Sequence, residues 1–131
     1  MQSKNLVEGL QKSDSANTYL KVYWFSVIEV ATDLAQQAPD RAVVALEPSL
    51  PYELGGPPSG IASAIYPAYI RGLAYLGQRN GPAAAAEFQK FLDHAGIVQN
   101  LLLGSLARLQ LGRAYVVFGD TVKAKSTYQD F

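Results

Sequence analysis

Acid–base, nucleophilic and metal chemistry draw on a short set of side chains, and this sequence supplies few of them. It holds no Cys and a single His, His94. Disulfides, thiolate metal sites and cysteine nucleophiles are therefore excluded, and any Ser–His–Asp triad would have to run through His94. His94 follows Asp93 and precedes Gly96, a setting in which an imidazole meets the last carbonyls and the negative end of a helix dipole. Capping is preferred over catalysis there. Glu29 and Asp33 stand four apart, so a helix would present them on one face, as a carboxylate pair doing acid–base work requires. No other ligand accompanies them in sequence, and a solvated patch or half of an inter-helix ion pair is the simpler reading. Gly55-Gly-Pro-Pro-Ser-Gly60 has the glycine content of a phosphate loop. Such loops bind through backbone N–H groups; two prolines remove two of them and no Gly-Lys-Ser/Thr follows. The segment reads as a connector. No metal site, no cofactor and no enzymatic activity is expected.

The elements that would carry these residues come from one modest chain. Its 131 residues suit one compact domain. At 49% hydrophobic and 17% charged it is too apolar for a disordered tail. Eleven basic residues balance eleven acidic ones, and no basic run offers a footprint for nucleic acid or an anionic lipid surface. No secretory leader is expected at the N-terminus. The most apolar stretch, Val22 to Ala31, contains Ser26 and Glu29 and is about half the ~20 residues of a membrane span. No direct membrane insertion is expected. The ending, Ser126 to Phe131, stops in mid-pattern, which predicts that the chain is part of something longer, possible membrane tethering included.

Residues 1–17 read as a polar, partly helical segment, and 18–131 as the folded domain. Thr18 to about Gln37 lacks Gly and Pro and is predicted to be one long helix, apolar nearly all round in its first three turns. Pro39 opens the next helix, with Ala42, Val43, Ala45 and Leu46 as its inward stripe. Pro48 to Gly60 is predicted to be a loop. Helix resumes near Ile61 or Ala64 and runs to about Leu76; Ala83 to Asp93 follows after a Gly77–Gly81 turn and is ended by Gly96. Leu101 to Val117 and Thr121 to Phe131 complete the set, the last helix capped by Asp120. No stretch alternates with period two, so the expected class is all-α.

An internal repeat organises these helices. Gly72-Leu-Ala-Tyr75 recurs as Gly112-Arg-Ala-Tyr115, 40 residues later, and the same offset carries Ala84 onto Ala124 and Phe88 onto Tyr128. The spacing predicts that Gly72 or Gly112 lets the second helix of a hairpin come close, with the small Ala opposite and the aromatics filling the space beside that contact. A degenerate copy aligns Ala42 with Ala84, Leu46 with Phe88 and Val30 with Gly72. Three hairpins, at about 18–48, 62–93 and 101–131, are expected.

These spacings resemble the tetratricopeptide repeat, a helix–turn–helix unit that stacks into an α-α superhelix, or solenoid. A narrower resemblance rests on Pro51-Tyr-Glu-Leu-Gly55, Tyr66-Pro-Ala-Tyr-Ile-Arg-Gly-Leu-Ala-Tyr75, Glu87-Phe-Gln-Lys-Phe-Leu-Asp-His94 and Leu109-Gln-Leu-Gly-Arg-Ala-Tyr115. Together they look like the C-terminal repeat region of large bacterial serine/threonine kinases. That resemblance implies a piece of a larger signalling protein; the kinase signatures themselves are absent from this sequence.

By the repeat family's pattern, ligand-facing positions lie three before the Gly and one and four after it. This selects Tyr69, Leu73 and Leu76, then Leu109, Arg113 and Val116, with Val27, Ala31 and Leu34 from the degenerate copy. One Arg among apolar residues suits an amphipathic helix or an extended apolar peptide better than a carboxylate clamp. The expected function is a non-catalytic scaffold for a protein or peptide ligand. The alternative is self-association into a homo-oligomer through an exposed flank containing Leu101-Leu-Leu103 and Phe131.

Overall fold

A computed structural model describes residues 5, 8–9, 24–55, 65–98 and 102–131. Within them lie α1 (Ser26–Ala35), α2 (Pro39–Leu46), a 3-10 helix (Glu47–Tyr52), α3 (Tyr66–Gly77), α4 (Gly81–Asp93), α5 (Ala95–Val98), α6 (Leu102–Phe118) and α7 (Thr121–Gln129). The described residues are predominantly helical and contain no strand. The expectations for residues 1–4, 6–7, 10–23, 56–64 and 99–101 lie outside the described residues.

Three helix hairpins, α1–α2, α3–α4 and α6–α7, close through one turn used three times. The N–H of Ala38 donates to Asp33 O, that of Asn80 to Tyr75 O and that of Asp120 to Tyr115 O, each at 2.9 Å. One residue earlier, Gln37, Arg79 and Gly119 donate to the carbonyls of Leu34, Leu76 and Val116. Those three residues have φ of 59°, 58° and 85°. A left-handed residue with these two bonds satisfies the orphan carbonyls at a helix end and reverses the chain. The next helix is capped by Asn80, whose Oδ1 accepts from Ala83 N at 3.2 Å, and by Asp120, whose Oδ1 accepts from Lys123 N at 3.0 Å. Ala38 holds the same place in the first hairpin without a side-chain acceptor.

The first helices α1, α3 and α6 are neighbours in one layer; α2 packs against α3, and α4 against α6. Close approach is possible because Ala42, Ala68, Ala74, Ala84, Ala107 and Ala114 are fully buried at these contacts, while Val30, Leu46, Ile65, Phe88 and Leu111 fill the volume between them. Small residues bring helix backbones near, and large ones then occupy the gaps at crystal-like density.

Several sequence expectations are corrected. Two of the aromatic anchors lie over the glycines themselves and not beside them: Phe88 over Gly72, and Tyr128 over Gly112. Part of the predicted Pro48–Gly60 loop, through Tyr52, is 3-10 helix. Pro48 falls in its first turn, where no N–H is needed, whereas Pro51 lies inside it and leaves that position without a donor. Gly96 does not end α4; His94 takes the C-cap, its N–H donating to Lys90 O at 3.0 Å, and Gly96 falls inside α5.

Candidate functional site

Two places concentrate polar or exposed character: the open face of the first-helix layer, and a cluster of charges inside the domain. On the open face the structure divides the sequence-selected residues. Ala31, Arg113 and Val116 are exposed, and Leu34, Leu73, Leu76 and Leu109 are half-buried. Tyr69 and Val27 instead point into the core, 9% and 5% exposed. Tyr69 meets Phe88 and Phe91 edge-on at ring separations of 5.7 and 6.1 Å. This geometry favours aromatic pairs. Its hydroxyl accepts a long 3.5 Å hydrogen bond from Gln110 Nε2 on α6. Packing within hairpin two, with one long hydrogen bond from hairpin three, consumes the residue that the repeat pattern assigns to a ligand.

Of the selected set, Leu34, Leu73 and Leu76 pack partly against the core, Leu109 is half-buried on α6, and Ala31, Arg113 and Val116 are exposed. Arg113 Nη1 donates to Gln110 Oε1 at 3.2 Å, one turn back, leaving the guanidinium otherwise on the exposed side.

The internal charges were not selected from the sequence. Arg71 on α3 is 2% exposed and Glu53, just past the 3-10 helix, 1%. Arg71 Nη1 and Nη2 donate to Glu53 Oε1 and Oε2, each at 2.7 Å, a bidentate pair. Nη2 also donates to Glu87 Oε2 at 2.9 Å, and Nη1 to the Leu46 carbonyl at 3.3 Å, at the end of α2. Lys90 Nζ completes the group at 2.8 Å from Glu87 and 3.6 Å from Glu53, so two cations face two carboxylates. Ser49 Oγ lies 2.7 Å from Leu46 O and 2.9 Å from Glu53 Oε1, and its one proton serves one of them at a time. Burial works against the charge on Arg71. Hydrogen bonds to Glu53 and Glu87, with their negative charge, outweigh it and hold the guanidinium above its ordinary pKa. The stability this shift contributes is present below the ordinary arginine range, so Arg71 stays protonated throughout ordinary working pH.

This cluster does structural chemistry. Each acceptor is held by a fixed cation, and the two described surface crevices are lined by other residues: Leu92, Arg108, Thr127 and Asp130 in one, and Glu29, Asp33, Asp40, Arg41, Val44 and Ala45 in the other. Its effect is to fasten the segment after hairpin one onto hairpin two. The sequence signal that could have found it is position. Arg71 immediately precedes Gly72, as Leu111 precedes Gly112, so the repeat itself places Arg71 inward, where a charge requires partners.

Among the described residues, no group of three or more His, Cys, Asp and Glu could hold a metal ion, and no helix is long and apolar enough to cross a membrane. The chain matches no protein-family model, no curated protein sequence and no solved structure.

Proposed function

We propose that the chain is a tetratricopeptide-like helical-repeat scaffold, without catalysis of its own, that holds a protein or peptide along its first-helix layer. The observation carrying this reading is the thrice-used hairpin turn, at offsets of 42 and 40 residues, with a glycine–aromatic contact in the second and third hairpins. Stacked hairpins with this register leave one continuous face made by first helices, which is where repeat arrays bind extended or helical ligands. Ala31 and Val116, exposed, and Leu34, Leu73 and Leu76, half-buried, with Arg113 as one exposed cation, support a partner that is apolar on one side and carries an acidic residue near one end. The resemblance to repeat regions of bacterial kinases makes a larger signalling protein the proposed parent.

The test is a peptide-display selection against the chain, followed by titration of selected peptides with an Arg113→Glu, Val116→Glu variant of equal helical content. Selected peptides should share apolar spacing and an acid, and the variant should bind at least about tenfold more weakly, the cost of a reversed rim charge and a lost apolar contact. Equal affinity for both chains would remove the first-helix face as the binding site.

A further inference from the structure

Adding 40 carries Ile70 and Leu73 of α3 onto Gln110 and Arg113 of α6. Three residues separate the members of each pair, so each pair stacks on one side of its helix. In hairpin two the pair is apolar: Ile70 is 6% exposed and Leu73 half-buried. In hairpin three both members are polar, and they are bonded to each other. Gln110, 8% exposed, accepts at Oε1 from Arg113 Nη1 at 3.2 Å. Arginine only donates, so the amide oxygen must face it. The amide nitrogen is thereby turned to the Tyr69 hydroxyl on α3, 3.5 Å away. A line of polar contacts runs from the core residue Tyr69 of hairpin two, through a buried amide, to an exposed guanidinium on hairpin three.

Packing does not require this arrangement. Ile70 shows that an apolar side chain fills the equivalent buried position. An amide there carries a desolvation cost, set against one 3.2 Å and one long 3.5 Å hydrogen bond. What the amide does is hold Arg113. A free arginine side chain on a helix surface samples many rotamers, and a ligand that uses it must order it first. With Nη1 held by Gln110, the guanidinium keeps its other N–H donors for a planar acceptor with two oxygens. No carboxylate pairs with Arg113 among the described residues. Arg71 differs, its fork being filled by Glu53 and Glu87.

We infer that Arg113 is a pre-oriented anchor for a carboxylate of a bound protein segment or peptide, with Gln110 and the Tyr69 hydroxyl as the groups that position it. A lone guanidinium suits a carboxylate, whereas phosphorylated segments are ordinarily met by clusters of arginines. An Asp or Glu side chain and a chain terminus offer the same pair of oxygens. The inference deepens the proposed binding of a peptide along the first helices and rests on that reading. It adds that recognition at hairpin three depends on a residue of hairpin two, so the anchor is set only while the two hairpins stay docked.

The repeat itself supplies the test substitution. Gln110→Ile installs the residue that hairpin two uses at this position, so the variant should unfold in urea at the parent's midpoint or above it. Peptides selected by display on the parent are titrated with their acidic residue intact or replaced by its amide, and with the C-terminus free or amidated. Gln110→Ile should bind the acidic form about fivefold more weakly, the worth of one hydrogen bond, and the amide form as the parent does. Tyr69→Phe should give a smaller loss of the same kind. Side-chain nitrogen relaxation at Arg113 Nε should report an ordered guanidinium in the free parent and a mobile one in Gln110→Ile. A loss that follows the side-chain acid assigns the carboxylate to Asp or Glu, and one that follows the free C-terminus assigns it to a chain end. Failure of the first-helix reading shows separately, as equal binding by the parent and the Arg113→Glu, Val116→Glu variant, and takes this inference with it. Where that variant is impaired, the inference alone is overturned if Gln110→Ile binds the acidic form as the parent does, loses acid and amide forms equally, leaves Arg113 as ordered as before, or is less stable than the parent.

Discussion

Phe88 covers Gly72 so closely that a Cβ on residue 72 would lie 2.6 Å from Phe88 Cζ. Phe88 is fully buried and held by the Tyr69 ring, so it has nowhere to move. Gly72→Ala should therefore destabilise the protein by about 1–3 kcal/mol, the usual cost of forcing extra volume into a packed core. The equivalent pair responds differently. Tyr128 lies over Gly112 in the same manner but is 39% exposed, and its ring can swing outward. Gly112→Ala should cost less than Gly72→Ala in urea unfolding. Equal losses would mean that the two hairpins are packed with the same rigidity, contrary to their exposure.

Gly81 raises the stakes, because the obstacle there is backbone. A Cβ at this position would stand 2.7 Å from Phe118 N and 2.8 Å from Ala114 O, where the start of α4 presses on the last turn of α6. A side chain can rotate away, whereas a helix backbone moves only as a unit. Gly81→Ala should lower the unfolding midpoint more than Gly72→Ala and should weaken the docking of hairpin three in particular. Hydrogen exchange would show this as faster exchange in α6 and α7 than in α1 and α2. Uniform acceleration across the chain would contradict it.

Ala38 shows where the first hairpin falls short of the other two. Its φ and ψ of −112° and 64° are close to those of Asn80 (−88°, 76°) and Asp120 (−85°, 79°), so the backbone is already arranged for a side-chain cap. Ala38→Asp should stabilise the protein by about 1 kcal/mol, and Asp120→Ala should destabilise it by a similar amount, typical of gaining or losing one N-cap. Thermal unfolding of the two variants beside the parent checks both signs. No gain from Ala38→Asp would show that a negative charge so near Asp40 and Asp33 offsets the new hydrogen bond.

These contrasts explain which parts of the molecule could be read from the chain. The offset of 40 was visible because contact geometry dictates residue type: only glycine fits beneath Phe88 or Tyr128, and Asp120 announces a helix start. Hairpin one keeps the turn but has Val30 and Leu46, both fully buried, at the positions of the glycine–aromatic pair, which leaves no recognisable pattern. Its alignment rested on Ala42 alone, and the shared backbone turn is what the structure adds. Tyr69 was misplaced because the repeat pattern fixes a direction on the helix, whereas the neighbouring Phe88 and Phe91 decide what that direction meets. Glu53 stayed hidden for a different reason. It lies 18 residues before Arg71 in the chain, and sequence spacing alone does not say that the intervening segment folds back.

The Arg71 cluster makes the sharpest demand on stability. Arg71→Met removes the cation that reaches both Glu53 oxygens, leaving Glu53 and Glu87 buried with Lys90 as their remaining counter-charge among the described residues. Removing one partner of a buried ion pair typically costs about 3–5 kcal/mol, mostly as the penalty on the charge left behind. Arg71→Lys should recover only part of this, since a single ammonium cannot reproduce the bidentate fork. Adding Glu53→Gln to Arg71→Met should restore stability, because the worst of the stranded charge is then gone. That rescue separates electrostatic loss from lost packing, which a second substitution would only deepen. The tether gives an independent readout: with Arg71→Met the segment Glu47–Gly55 should become a site of early proteolytic cleavage, while α3–α4 remains resistant. A segment that stays protected would show that Leu46, Ser49 and the 3-10 turn hold it without Arg71.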